Sequence, residues 1–355
     1  MGIKGIIASF LLLIFSVAAH GQQPIIRSEL PSLPGGKGWA GMFAGVSDSI
    51  LFCMGGANFP DQLPWKGGEK KWYADIYMLR RGNTWNRLKV KLPQPLGYGV
   101  SVSYHGDIIL IGGMNADSVS RKVYACRWEN GRFMIRSYPD LPVPLANMAG
   151  TLVKNIIIVA GGIDAVLGQP LRKCYGLDLE HLESGWFPLA PIPGSGRILA
   201  MCAAHQGKFF LFGGERSDTS VAGIPFRHIL PKAYCFTPEY TTKGWSGTWR
   251  KLSPMPHGIS AAATPLPVLK GQLFFWGGVD PLTALNTDPA NPDAISKDMF
   301  LYDLSADTWR YLGKEHLQRP RVTLPTVYWH GEWVYVSGEV SAGVRTNTLV
   351  SVNKN

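Results

Sequence analysis

The chain sets short, wholly apolar runs between long polar stretches, and the runs end alike. Leu51-Phe-Cys-Met, Ile108-Ile-Leu-Ile, Ile156-Ile-Ile-Val-Ala, Phe209-Phe-Leu-Phe and Leu273-Phe-Phe-Trp each lead into a pair of glycines, and a sixth run, Trp333-Val-Tyr-Val, leads into Ser337-Gly338. Such runs are too short for helices and do not alternate, so they predict strands buried on both faces. The closing glycine of each copy is Gly56, Gly113, Gly162, Gly214, Gly278 or Gly338, and the copies therefore recur every 49 to 64 residues. Within a copy a loop comes next, then a strand with a tyrosine (Tyr77, Tyr124, Tyr175, Tyr234, Tyr302). A strand with a large ring follows (Trp85, Phe133, Trp186, Trp249, Trp309), and proline turns close four copies at Leu92-Pro93, Leu141-Pro142, Ile192-Pro193 and Met255-Pro256.

A period near 50 residues with insertions of variable length marks the blades of a kelch-type β-propeller. The last copy lacks its outermost strand, while Ile25-Ile-Arg-Ser-Glu-Leu-Pro-Ser-Leu-Pro34 reads as such a strand with no glycine pair before it. The two fragments complete one blade. The expected fold is all-β, a six-bladed propeller closed by pairing of the N-terminal strand with the C-terminal blade, which leaves no free sheet edge. A seven-blade ring is the competing architecture, but the two longest copies hold insertions and no second glycine pair.

Composition agrees. With 41 Gly and 26 Pro among 355 residues, turns are frequent and long helices are disfavoured. Residues 1–22 read as a cleavable export signal: Lys4, an apolar run from Ile6 to Val17, then the small residues Ala18, Ala19 and Gly21. An anchoring helix is the alternative, although the run is short for a bilayer. The propeller then occupies residues 23–355, and the protein is expected in the periplasm or outside the cell, without stable membrane insertion after cleavage. The five cysteines are scattered singly, which suggests neither a zinc site nor a disulfide framework. The net charge of +10 arises from dispersed residues with no basic stripe, which argues against nucleic acid and suits a small anionic ligand.

In a propeller blade the start of the inner strand and the loop after the glycine pair emerge at the same mouth of the axial channel. The inner-strand starts offer Tyr98, Asn147, Arg197, His257 and Arg321; the loops offer Asn58, Asn115, Asp164, Glu215, Arg216, Asp280, Glu339 and Arg345. Arginines around one opening form a cup for a carboxylate, which they can grip with two parallel hydrogen bonds, although kelch arginines also serve to tie blades together. Glu339, six positions before Arg345 in a loop that no other copy repeats, is the first candidate for the chemistry. Glu215 has the same Gly-Glu start and ranks second, because the adjacent Arg216 is expected to neutralise it locally.

Ser337-Gly-Glu-Val-Ser-Ala-Gly-Val-Arg-Thr346, Gly38-Trp-Ala-Gly-Met-Phe-Ala-Gly45, Ile50-Leu-Phe-Cys-Met-Gly-Gly-Ala-Asn58 and Gly97-Tyr-Gly-Val-Ser101 resemble the N-acetylneuraminate epimerase family, the exported kelch sialic acid mutarotases, and in particular its cyclically permuted branch. The resemblance implies a ring cut at a different blade, with the catalytic acid on Glu339 and its paired arginine on Arg345. It also implies interconversion of the α and β anomers of N-acetylneuraminate without metal or organic cofactor. Arg197 or Arg321 is expected to help hold the sugar carboxylate, with Tyr98, Asn147, His257 and Glu215 as further substrate contacts. Ser337 departs from the repeat and is expected to be harmless, while the insertion Leu282 to Lys297 matches poorly. A non-catalytic glycan- or protein-binding ring is the alternative. A copper oxidase would need two histidines at the axis, where His257 stands alone. A homodimer is compatible with the sequence, which does not fix the oligomeric state.

Overall fold

A computed structural model describes residues 24–353 apart from 28, 29, 83, 220–222, 224, 287, 289, 290 and 292. The expected export signal lies outside the described residues. Six four-stranded antiparallel sheets form the blades. Blade one is Phe43–Ser47, Ile50–Met54, Ile76–Leu79 and Asn86–Arg87. Blade two is Val100–Tyr104, Asp107–Ile111, Val123–Glu129 and Arg132–Ser137. Blade three is Ala149–Val153, Ile156–Ala160, Cys174–Asp178 and Trp186–Leu189. Blade four is Met201–His205, Lys208–Phe212, Ala233–Thr241 and Gly244–Lys251. Blade five is Val268–Leu269, Gln272–Trp276, Asp298–Asp303 and Thr308–Lys314.

Blade six closes the ring as the sequence predicts. Thr326–Trp329, Glu332–Val336 and Leu349–Asn353 are completed by Ile25–Arg27, which pairs antiparallel with the last strand, Ile25 opposite Asn353 and Arg27 opposite Ser351. The strand that would otherwise be an open edge is thereby covered.

The second strand of each blade is apolar without alternation because each of its faces meets a neighbouring blade. Phe209 and Leu211 pack toward blade three with Ile158, whereas Phe210 and Phe212 pack toward blade five with Phe275 and Tyr302. One such cluster fills every blade interface, including that between blade six (Val334, Val336) and blade one (Leu51, Cys53). All five cysteines are buried free thiols, and burial pushes those of Cys126 and Cys202 up to about 12.

The tryptophans have a polar task besides filling space. The indole N–H of Trp85 donates to Pro31 O, Trp186 to Pro139 O, Trp249 to Ala190 O and Trp309 to Ser253 O, so each outer strand is tied to the turn that closes the preceding blade. At the equivalent place in blade two, Phe133 has no donor and packs on Phe52 instead.

The axis is sealed by backbone. Gly41, Tyr98, Asn147, Leu199, Ala261 and Thr323 each precede an inner strand, and each has positive φ. Each N–H donates to the carbonyl of the corresponding residue one blade back, and the bond from Gly41 to Thr323 completes a closed circle of six bonds of 2.7–2.9 Å. Five of these residues accept left-handed backbone despite a side chain, at a cost of about 1–2 kcal/mol each, which the closed circle offsets.

Candidate active site

The residue after each glycine pair forms a bridge to the residue just before the left-handed position of its own blade. These pairs are Ala57 with Ala40, Met114 with Gly97, Ile163 with Ala146, Glu215 with Ile198, Val279 with Ser260 and Glu339 with Val322. Four of these six equivalent places are apolar. Glu215 and Glu339 are therefore structural counterparts in blades four and six, and each begins a small hairpin, Glu215–Thr219 with Pro225–Ile229 and Glu339–Ser341 with Val344–Arg345.

Their surroundings separate them. Glu215 accepts two hydrogen bonds from Arg227, at 3.0 Å from Nε and 2.5 Å from Nη2, and one from the Ser260 hydroxyl at 2.5 Å. Its side chain is 8% exposed. A carboxylate with three donors and little exposure has few lone pairs left to meet a substrate. The expected partner, Arg216, pairs instead with Asp218 at 2.7 Å, because residues opposite or alternate on the hairpin share a face and neighbours do not.

Glu339 receives only Arg345 Nη2, at 2.8 Å from Oε2, and the Gly343 N–H, at 3.1 Å from Oε1. The place that Ser260 fills beside Glu215 is taken here by Ala40, which has no donor. Glu339 is 20% exposed and keeps free lone pairs, while Arg345 is only 6% exposed. The guanidinium lies 4.8 Å from the Phe59 ring, and its Nε and Nη1 have no hydrogen-bond partner among the described residues. The pair thus combines a carboxylate partly open to solvent with a buried donor edge that has no acceptor among the described residues.

The hairpin is pinned to blade one by Ser337, which the sequence reading expected only to be harmless. Ser337 replaces the first glycine of the pair, keeps its left-handed φ of 58°, and is fully buried. Its hydroxyl accepts from the Trp39 N–H at 2.8 Å and donates to Thr346 O at 2.6 Å. Beneath it Gly38 leaves no room for a side chain, since a Cβ there would lie 1.7 Å from Thr346 O. The signal was present in the sequence: a serine at a glycine position must repay its backbone strain with hydrogen bonds.

Arg197 and Arg321 do not reach the mouth, which corrects the expectation that one of them grips a ligand. Arg197 Nη1 donates to Gly213 O (2.8 Å) inside blade four, and Arg321 Nη1 to Thr348 O (3.0 Å) and Ser337 O (3.2 Å) inside blade six. Both are almost completely buried, and burial draws the Arg321 guanidinium down to about 10. Their hydrogen bonds are structural, as in the alternative reading, but they brace one blade each rather than tie neighbouring blades together. His257 is also drawn away: its Nε2 is 3.3 Å from Asp298 Oδ2, its ring packs on Phe300, and it does not line the axial cavity.

Tyr98 and Asn147 do line that cavity. Its space, about 60 Å³, admits water but falls well below the roughly 300–1,000 Å³ of small-molecule pockets. An open groove of about 460 Å³ over blades one and two has the right size; Pro60, Lys70, Trp72, Asn115 and Asp117 are among its walls. Other loop candidates have structural tasks. Asn58 donates to Gly38 O and accepts from Tyr73, Asn115 closes its own turn, Asp164 meets Lys173, and Asp280 caps the short helix Pro281–Ala284 at the start of the fifth-blade insertion. No group of three or more His, Cys, Asp or Glu among the described residues could hold a metal ion.

Fold and site together define a kelch-type six-bladed propeller with an acid–guanidinium pair at one end of its axis. Comparison with known proteins bears out the resemblance read in the sequence: the family model described as N-acetylneuraminate epimerase matches residues 23–135. The N-acetylneuraminate epimerase of Salmonella enteritidis PT4 is 44% identical over 102 residues, covering 25% of this chain and 26% of that protein. That of Yersinia pestis (strain Pestoides F) is 39% identical over 126 residues, covering 32% and 31%. The match therefore spans about a quarter to a third of these curated relatives. A solved structure titled "Structure of YjhT" superposes with a TM-score of 0.66 at 15% identity, covering 91% of this chain and 97% of that one, which supports the fold. The matched stretch contains Trp39, Phe59 and Tyr98 and ends before the Glu339 hairpin.

Proposed function

We propose that the protein is a mutarotase that interconverts the α and β anomers of N-acetylneuraminate, or a close sialic acid, with Glu339 as the proton carrier. The observation that carries this reading is the contrast between two equivalent carboxylates: Glu215 is saturated with donors, whereas Glu339 is open to solvent beside the unpartnered edge of Arg345. The partial likeness to N-acetylneuraminate epimerases supplies the substrate class. A cut in the ring at a different blade accounts for a collinear match limited to one stretch, because moving the termini changes chain order and leaves strand neighbours in place.

In the proposed reaction Glu339 takes the proton of the anomeric hydroxyl. The electron pair left on that oxygen forms the carbonyl as the bond to the ring oxygen breaks, and Glu339 passes the proton it has taken to the ring oxygen. The open keto acid rotates, and the same steps in reverse close it on the other face. Arg345 holds Glu339 in place through Nη2 and offers Nε and Nη1 to the sugar carboxylate. We also place the protein in the periplasm or outside the cell, on the strength of its first 22 residues.

The test is Glu339→Gln, which keeps shape and polarity and removes the base. The variant should still bind sialic acid in saturation-transfer NMR, while anomer exchange of freshly released α-sugar falls at least about 100-fold, the lower range for losing a general base. Undiminished exchange in Glu339→Gln would remove this residue from the mechanism.

A further inference from the structure

A sugar acid is best met by a cation that no carboxylate already pairs with, and the arginines at the mouth do not supply one. Arg345 is balanced by Glu339, Arg227 by Glu215 and Arg216 by Asp218. Arg197 and Arg321 are committed to carbonyls inside the blades. The second cation that the sequence seemed to offer in them is therefore missing from where it was sought.

Lys70 fills that vacancy. Its ammonium lies 4.2 Å from the ring centre of Tyr98, which lines the axial cavity, and 4.9 Å from that of Trp72. Two aromatic faces hold an ammonium in place while leaving its N–H donors free. No carboxylate of the described residues forms an ion pair with Lys70, although Asp61, Glu69 and Asp117 line the same groove. The residue is also tied to the acid–guanidinium pair. Asn58 pairs with Lys71, so Lys70 follows across the ladder from Phe59, the ring on which Arg345 packs. Trp72 Nε1 is buried without a partner and adds a neutral donor close to the ammonium.

We propose that Lys70 is the second cation of this site and the group that makes the mouth select an anionic sugar over its neutral analogues. The proposal rests on the mutarotase reading for the identity of the sugar. The groove then divides the recognition. Lys70 meets the carboxylate, and Asp61, Glu69 and Asp117 of the same groove accept from sugar hydroxyls, which need acceptors and carry no charge.

The experiment compares Lys70→Met, which keeps a stem against the two rings without the charge, with Lys70→Arg, which restores the charge. Affinities for N-acetylneuraminate and for its neutral C1 carboxamide are measured by titration calorimetry, with thermal melts confirming that each variant is folded. Lys70→Met should weaken binding of the acid about tenfold, the worth of one charge-assisted hydrogen bond, leave the carboxamide unaffected, and be rescued by Lys70→Arg. Equal affinity of wild type and Lys70→Met for the acid overturns the proposal, as does an equal loss for acid and carboxamide. A wild type that binds the acid but leaves anomer exchange at the spontaneous rate defeats the mutarotase reading alone, and the Lys70 comparison still decides. A wild type that binds neither compound overturns both.

Discussion

At the scale of single residues the site depends on hydroxyls and small side chains as much as on charges. Ser337 joins Trp39 of the first blade, 298 residues away in the chain, to Thr346 of the last. Removing its hydroxyl orphans the buried N–H of Trp39 and leaves the left-handed backbone strain in place. Ser337→Ala should therefore lower stability by about 1–3 kcal/mol, read as a shift of the urea midpoint at constant m-value. An unchanged midpoint would show that the hydroxyl is idle. At this scale the sequence was only partly legible. Glu339 and Arg345 stood out because their loop has no copy elsewhere in the chain. Arg197 and Arg321 were misplaced because an arginine beside a channel mouth and one folded into a blade look the same until the backbone carbonyls that receive them are known. Arg227, twelve residues from Glu215, carried no spacing that linked the two.

At the scale of elements, turns at the end opposite the mouth are stabilised by side-chain anions. Asp303, between the last two strands of blade five, accepts from the Ala306 N–H at 2.9 Å and the Ser305 hydroxyl at 2.7 Å, and these donors hold its carboxyl down at about 2. A carboxyl depressed in the folded state adds stability that is fully present above its unfolded value near ~4 and is lost as pH falls through its folded value. The melting-temperature gap between wild type and Asp303→Asn should therefore be constant above about pH 4.5 and narrow from about pH 4 toward pH 2. The carboxylate is largely solvated, so the gap will be small. A gap that widened on acidification would contradict the assignment. The strands themselves were the most legible part of the sequence, because a run of five apolar residues between two blades has no other stable arrangement. The hairpins after the glycine pairs were less legible. Their lengths differ from blade to blade, and their pairing follows from contacts with the next blade that no local pattern records.

At the scale of the whole molecule, closure is the organising fact. Six equivalent backbone bonds encircle the axis, and Ile25–Arg27 covers the last free edge while Pro31 accepts from Trp85 of the next blade. A protein lacking residues 1–34 should melt at lower temperature and associate through the exposed Leu349–Asn353 strand, detectable by light scattering. A monomeric variant with an unshifted melt would mean that the ring does not depend on this closure. The same closure explains why fold and order of segments are separable. The blade count was legible from the repeat alone, whereas the position of the Glu339 hairpin relative to the first blade had to be assembled in space. Glu339 and Trp39 are far apart in the chain and adjacent in the ring. That adjacency builds the site, and the central claim is that it accelerates anomer exchange. The direct measurement is two-dimensional exchange NMR on an equilibrium mixture of α- and β-N-acetylneuraminate. Cross-peak growth should be proportional to wild-type protein concentration and return to the protein-free rate with Glu339→Gln. Exchange at the protein-free rate with the wild type, at concentrations that saturate binding, would contradict the account.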